Sequence, residues 1–543
     1  MSQHGQVTLA IVNAKIWTAN PRQPWATGIA VSGNRIMLVG SSAEVAKLAA
    51  STSSARIIDA GGSLVTPGFI DSHVHFVSAG FGLASVQLRD AATREEFTRR
   101  IKAYAATVPA GTWITGGAWD HMLWGGELPR HEWIDSVTPN NPVWVSRLDG
   151  HMGLANKLAM GAGKVSRSTA DVNGGTIVRD TAGDPTGIFK DNAQSYIDNA
   201  QPPYPTAMSD RALNAAMHFV AERGVTSVVN MGTFDDLATF ERAHHAGTMI
   251  TRIYAVTPLA QWHRLSDTVA ARGKGDEWLR IGGLKGFVDG SLGSHTAAMF
   301  APFTDSPADS GFLVETEKDL RDWTAGGDRA GLQVIVHAIG DRAIHTQLDI
   351  FEQVIAENGP RDRRFRIEHA QHLSASDVPR FASLAVIPSM QPYHAIDDGR
   401  WAERLIGPER AKLTYAFRSL RDSGARLAFG SDWSVAPPTP LLGIYAAVTR
   451  RTLDGKNPDG WIPEQKISVE DALRAYTING AFASFEDSIK GSIERGKLAD
   501  MVIIDRDITR MPAQAIEDAR VSMTIVGGRV VFESSQAGFK KNK

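Results

Sequence analysis

Cysteine is absent from all 543 residues. No disulfide can form, and a cysteine nucleophile, a thiolate-held cluster and a zinc finger are excluded. Any metal must be held by His, Asp, Glu or a modified Lys. Charge of one sign is lacking too: 57 Lys and Arg stand against 59 Asp and Glu, a formal net charge of -2. That balance gives no electrostatic reason to expect nucleic acid or an anionic membrane as partner. No apolar run approaches the roughly 18 residues of a membrane span. Residues 1–19 have no basic start followed by an apolar run, so no signal peptide is read and a cytoplasmic location is expected. The rest of the composition, 43% hydrophobic and 21% charged, is that of a globular protein, long enough for two or three structural units.

Both ends read as β-structure. Residues 7–12, 29–31 and 35–39 form short strand patterns, the last reached through Ser32-Gly33-Asn34. Residues 500–504 and 521–526 are alike, and Gly527-Gly528 marks a hairpin turn. Residues 1–63 and 490–543 are therefore expected to build one composite β-sandwich. The middle alternates apolar runs with helical patterns. The runs are 64–70, 225–229, 250–256, 284–288, 334–337, 365–369, 384–388 and 426–429, with helices read over 210–223, 341–358 and 407–423. Eight β-then-α units imply an α/β fold, a parallel (β/α)8 barrel over 64–489. About 150 residues separate the first two runs, too many for one connection. An inserted subdomain is expected over about 82–205, rich in tryptophan (Trp113, Trp119, Trp124, Trp133, Trp144).

The chemistry-bearing residues fall at one end of that barrel. In Asp71-Ser72-His73-Val74-His75 the two histidines are two apart, so on a strand both face one way. Paired imidazoles are a usual grip on zinc. Alone, such a pair is equally well two polar strand-end residues. However, His337 ends the fifth run, His369 the sixth, and Asp432 follows the eighth in Gly430-Ser431-Asp432. A lone His is more often a hydrogen-bonded structural residue, and an Asp after Gly-Ser more often a turn or cap. Convergence of all five on the catalytic end of one barrel favours a metal centre. Lys285, inside the fourth run, is either paired with Asp289 or Asp432, or carboxylated on its amine and so converted to an anionic bridging ligand.

Residues 64–75, Leu-Val-Thr-Pro-Gly-Phe-Ile-Asp-Ser-His-Val-His, resemble the opening signature of the amidohydrolase superfamily. Segments 285–296, 366–371, 389–392 and 430–432, with the tail motif 491–500, resemble its amidohydrolase family 3 branch, which includes N-substituted formamide deformylases. The resemblance runs almost end to end. It implies zinc, as one or two divalent ions, with His73 and His75 as first-strand ligands and Lys285 as the bridging lysine. His337 and His369 become ligands of a second site, and Asp432 both ligand and catalytic proton shuttle. It also implies that the insertion folds over the barrel mouth, and Trp119 and His151, with His394 and Trp433, are expected to touch substrate. Two positions depart from the pattern: Asn230 stands where Asp or His is usual, and His295, expected in the substrate pocket, replaces a more usual Arg.

The expected activity is metal-assisted hydrolysis of an amide or N-formyl C–N bond in a small, aryl or apolar substrate. Carbamates, lactones and other ester-like substrates remain open, as does a non-catalytic scaffold that has kept the fold. Deamination is less favoured, because the fifth-strand His337 is followed by Asp341 and no nearby Glu. The expected partner is a small molecule, and homodimerisation is the expected assembly.

Overall fold

The computed structural model describes residues 6–51 and 55–536. Eight strands lie in one sheet in chain order. They are β1 (Phe69–Val74), β2 (Val225–Met231), β3 (Arg252–Pro258), β4 (Leu279–Phe287), β5 (Gln333–Ala338), β6 (Arg366–His369), β7 (Ile387–Met390) and β8 (Ala428–Phe429). Every neighbouring pair is parallel. Their near-continuous burial is what a sheet covered on both faces requires. Covering helices include Thr206–Ala221, Phe234–His245, Glu317–Arg329 and Asp341–Asn358.

The ring closes between the chain just after β8 and β1. Asp432 N donates to His73 O at 2.7 Å and His75 N donates to Trp433 O at 2.7 Å. Gly430 makes this approach feasible, since a Cβ there would lie 2.6 Å from His73 N.

Two expected elements differ. The apolar run 64–70 splits: Leu64–Pro67 pairs with Lys15–Trp17 and Met501–Ile504 in a separate sheet, and the barrel begins only at Phe69. The single helix read over 407–423 is broken. One helix, Ala402–Ala411, kinks at Gly407 (φ 77°), and a second spans Phe417–Asp422. Pro408 causes the kink, since it lacks a donor and bars its predecessor from helical geometry, and the break after Ala411 contains Tyr415 at a left-handed φ of 51°.

A six-stranded sheet takes strands from both ends of the chain, in the order 529–533, 521–526, 501–504, 64–67, 15–17, 25–26. A four-stranded sheet from the N-terminal region shares an apolar cluster with it, through Ile11, Val31, Ile503 and Ile525. Between β1 and β2 the chain builds a further six-stranded sheet from 86–191 with cores of its own. Among the described residues no helix is long and apolar enough to cross a membrane.

One buried ion pair ties the terminal sheet to the barrel. Arg252, at the start of β3, donates to Asp500 through Nε at 2.7 Å and NH2 at 3.0 Å. Asp500 also accepts from Gly527 N at 2.7 Å, and both side chains are almost fully buried. Removing one partner strands the other's charge. Asp500→Ala is expected to destabilise the protein by about 3–5 kcal/mol in denaturant titration, and the double change Arg252→Met with Asp500→Leu by clearly less. A double variant at least as unstable as the single would contradict this reading of the pair.

Candidate metal centre and active-site cavity

Asp432 follows β8 in a left-handed conformation, φ 59°. A non-glycine residue there is strained and persists only where its surroundings demand it. That backbone turns its carboxylate between His73, in β1, and His75, just after it. Oδ1 lies 3.4 Å from His73 Nε2 and 3.3 Å from His75 Nε2. The potential ligand atoms of His73, His75 and Asp432 all lie within 4.8 Å of one another, and the same holds for His369, His394 and Asp432. Asp432 is common to both groups.

Two of the imidazoles, His73 and His369, are each held by a partner behind them. His73 Nδ1 lies 2.6 Å from Glu368 Oε2, with both side chains buried. Glu368 is itself fixed by Arg366, whose Nε donates to Oε1 at 2.8 Å. His369 Nδ1 lies 2.8 Å from Gln391 Oε1. In both rings Nδ1 carries the hydrogen, so Nε2 presents its lone pair. Burial pushes His73, His337 and His369 well below the ordinary imidazole pKa, helped by the other cationic groups around them. They are neutral at physiological pH, the state in which imidazole binds a metal.

The residues fit a divalent cation. His73 Nε2 and Asp432 Oδ1 face each other, buried and without a hydrogen-bond partner, and His394 Nε2 is equally orphaned. Buried groups left so cost about 1–3 kcal/mol each unless something compensates them. Ions held by the two groups, each with nitrogen and carboxylate ligands, would compensate them. Lys285 in β4 is buried nearby with its Nζ 4.8 Å from the Phe287 ring centre. Burial pushes its amine down to about 8, against the pull of the Glu368 and Asp432 carboxylates.

The remaining expected residues are placed as follows. His337 lies beside His369, ring centres 4.5 Å apart, but its Nε2 donates to Gly290 O at 2.9 Å and it belongs to neither group. His394, expected as a substrate contact, is in the second group with His369 and Asp432. His151 reaches in from the insertion, its ring 4.8 Å from that of His337 and its Nδ1 2.6 Å from Asp191 Oδ1. His151, His337, His369, His394 and Asp432 line one cavity.

Three residues expected to touch substrate do not line it. Trp119 is fully buried in the insertion's own core, where its indole donates to Val145 O at 2.8 Å. An insertion that folds as a unit needs a core, and its tryptophans supply it. His295 turns to Asp305, Nε2 to Oδ1 3.0 Å, edge-on to Phe303. Trp433 stands behind the site, stacked on Phe219 with ring centres 5.0 Å apart. Asn230 acts locally. Its Oδ1 accepts from Phe76 N at 2.7 Å, at the start of the helix that follows His75.

The sequence reading missed the supporting groups. Glu368 was visible in principle, since Arg366 and Glu368 alternate on β6 and point into the barrel together. Strict alternation would turn His369 outward, and its φ of 70° brings it back. Asp71 accepts from Ser431 N at 2.8 Å and Ser431 Oγ at 2.5 Å, and burial pushes it up to about 7. Asp289, likewise pushed to about 7 by burial, gathers the amides of Ala298, Ile339 and Gly340 at 2.8, 2.9 and 2.8 Å.

A family model described as "Amidohydrolase family" matches residues 56–532. The chain is 40% identical to Protein LONG AFTER FAR-RED 3 of Arabidopsis thaliana, over 96% of this chain and 91% of that one. It is 30% identical to the N-substituted formamide deformylase of Arthrobacter pascens, over 97% and 98% of the two chains. A solved structure of an uncharacterized metal-dependent hydrolase from Pyrococcus horikoshii superposes with a TM-score of 0.75 at 28% identity, covering 93% of this chain and 99% of that one. With a barrel of eight parallel strands and a family match over nearly its whole length, the chain belongs to the amidohydrolase family.

Proposed function

We propose that the protein is a metal-dependent hydrolase of an amide or N-formyl C–N bond in a small molecule. The observation that carries this reading is the buried, unpartnered pair His73 Nε2 and Asp432 Oδ1, with Asp432 also lining a cavity at the same end of the barrel. The similarity to a formamide deformylase over nearly the full chain supports the C–N assignment. His73, His75 and Asp432 would hold one zinc-type ion, and His369 with His394 would hold a second that shares Asp432. The chemistry such an ion supplies when bound is a water acidified to near neutrality and a polarised carbonyl.

The chain's own groups do the rest. Glu368 holds His73 in one tautomer and orientation, and Gln391 does the same for His369. Asp432 accepts the proton of the attacking water and delivers it to the departing nitrogen, which could not leave as an amide anion. His151, its Nδ1 engaged by Asp191, has Nε2 left for a hydrogen bond to the substrate. The Lys285 amine, buried and lowered to about 8, is neutral in about a tenth of molecules near pH 7, and only the neutral amine adds carbon dioxide. A carboxylated Lys285 would add an anionic oxygen ligand beside Asp432.

Asp432→Asn should lower kcat by about a hundred- to ten-thousand-fold while circular dichroism shows the fold retained. Near-normal turnover would remove Asp432 from the mechanism. In a panel of N-benzylformamide, an N-acetyl arylamine, an N-acyl amino acid, a carbamate and a lactone, turnover should vanish on chelator stripping and return with zinc. The formamide or acyl amide should lead. A stripped protein that remains active, or a lactone turned over best, would overturn the assignment.

A further inference from the structure

A large apolar side chain left exposed on a loop, an outer helix or a terminal strand is ordinary. Trp25, Leu158, Met208 and Leu453 are of that kind. Among the described residues, Phe287 alone is an exposed large apolar side chain on a barrel strand. It ends β4 and is 38% exposed, although every residue from Ile281 to Gly286 is buried.

The direction of the ring follows from the strand. Residues two apart share a face, so Phe287 points the same way as Lys285, one layer nearer the catalytic mouth. Lys285 Nζ lies 4.8 Å from the ring centre. Phe287 is in register with His337 of β5, and the two ring centres are 5.4 Å apart at a tilt of 39°. His337 stands in turn 4.5 Å from the ring of His369. The phenyl ring is therefore at the level of the candidate ligands. His337 lines the cavity and Phe287 does not, so the free face of the ring opens beside that cavity.

Two roles place an aromatic ring there. One is shelter for Lys285, which needs only the face turned to the amine. The other is contact with a bound molecule, which needs the outer face bare, as it is. An aromatic surface kept wet at the mouth of a packed barrel forgoes stabilising burial, and a bound apolar group restores it.

We infer that Phe287 is the platform for an aryl group of the substrate, carried a few bonds from the scissile carbonyl and seated on the β4 side of the metal centre. Offset stacking or an edge-to-face contact supplies the attraction, and covering the ring adds burial of both partners. The insertion's tryptophans take no part in this contact: Trp119, Trp133 and Trp144 are buried in cores of their own. The inference rests on the metal-hydrolase reading and specifies which strand meets the apolar end of the substrate.

Equilibrium binding tests the platform without turnover. Hydroxamates grip a divalent ion through two oxygens, so benzohydroxamic, phenylacetohydroxamic and 3-phenylpropanohydroxamic acids place a phenyl ring at three distances from it. They would be titrated calorimetrically, beside acetohydroxamic acid, into the zinc-loaded protein. The best aryl member should bind about tenfold or more tightly than acetohydroxamic acid. Phe287→Ala should remove most of that advantage, and Phe287→Tyr should keep it. Should Phe287→Ala fold poorly, by thermal unfolding, Phe287→Leu fills the space without a stacking face and decides instead. No aryl advantage in the wild type, or an advantage kept in a folded Phe287→Ala, would overturn the platform. Equal weakening of all four probes would overturn it too, leaving the ring as shelter for Lys285. Failure of every hydroxamate to bind would count against the metal centre and the platform together. An aryl advantage lost in Phe287→Ala, with no turnover of the hydrolysis panel, would count against the hydrolase reading alone.

Discussion

The seam between the end of β8 and β1 is the constraint on which the site depends. A parallel barrel must close, and here it closes through backbone bonds made by His73, His75, Asp432 and Trp433 themselves. Gly430 permits the close approach, and Asp71 clamps Ser431 from the β1 side. The strained turn at Asp432 is offset by this closure, and it delivers the carboxylate between two imidazoles. The geometry of the candidate site and the closure of the barrel thus rest on the same set of contacts.

Electrostatics extends the arrangement outward. Burial keeps His73, His337 and His369 neutral, while Glu368 and Gln391 fix which nitrogen of His73 and His369 faces inward. Arg366 neutralises Glu368 and also donates to Ser72 O at 2.6 Å, so the second layer is locked to β1 as well. On the cavity side the insertion contributes a complementary layer, in which His151 is backed by Asp191 and Arg147 by Asp149. The outer wall is assembled by loops following the later strands, so that chemistry and recognition come from different parts of the chain.

Much of this was legible in the residues. Eight apolar runs ending in polar residues carry the barrel, and the two-residue spacing of His73 and His75 sets them on one strand face. Position at the strand ends was enough to bring Asp432 to them. What escaped depends on backbone conformation or on distant contacts. Periodicity cannot show that β6 turns over at His369, nor that Leu64–Pro67 leaves for the terminal sheet, because an apolar run satisfies either neighbour equally. Trp119 was expected to touch substrate because similar segments fold over the barrel mouth, yet a unit with its own sheet must bury aromatic area in its own core, and Trp119, Trp133 and Trp144 do so. His394 was expected to touch substrate, and its place beside His369 and Asp432 was not read, because it lies on a short helix with no period to mark it.

The central claim is that the orphaned atoms around Asp432 are ligands. Anomalous diffraction at the zinc edge from crystals of the zinc-loaded protein tests it most directly. A peak within bonding distance of His73, His75 and Asp432, with or without a second beside His369 and His394, is the predicted result. Zinc bound in the crystal with no peak in contact with Asp432 would contradict the account.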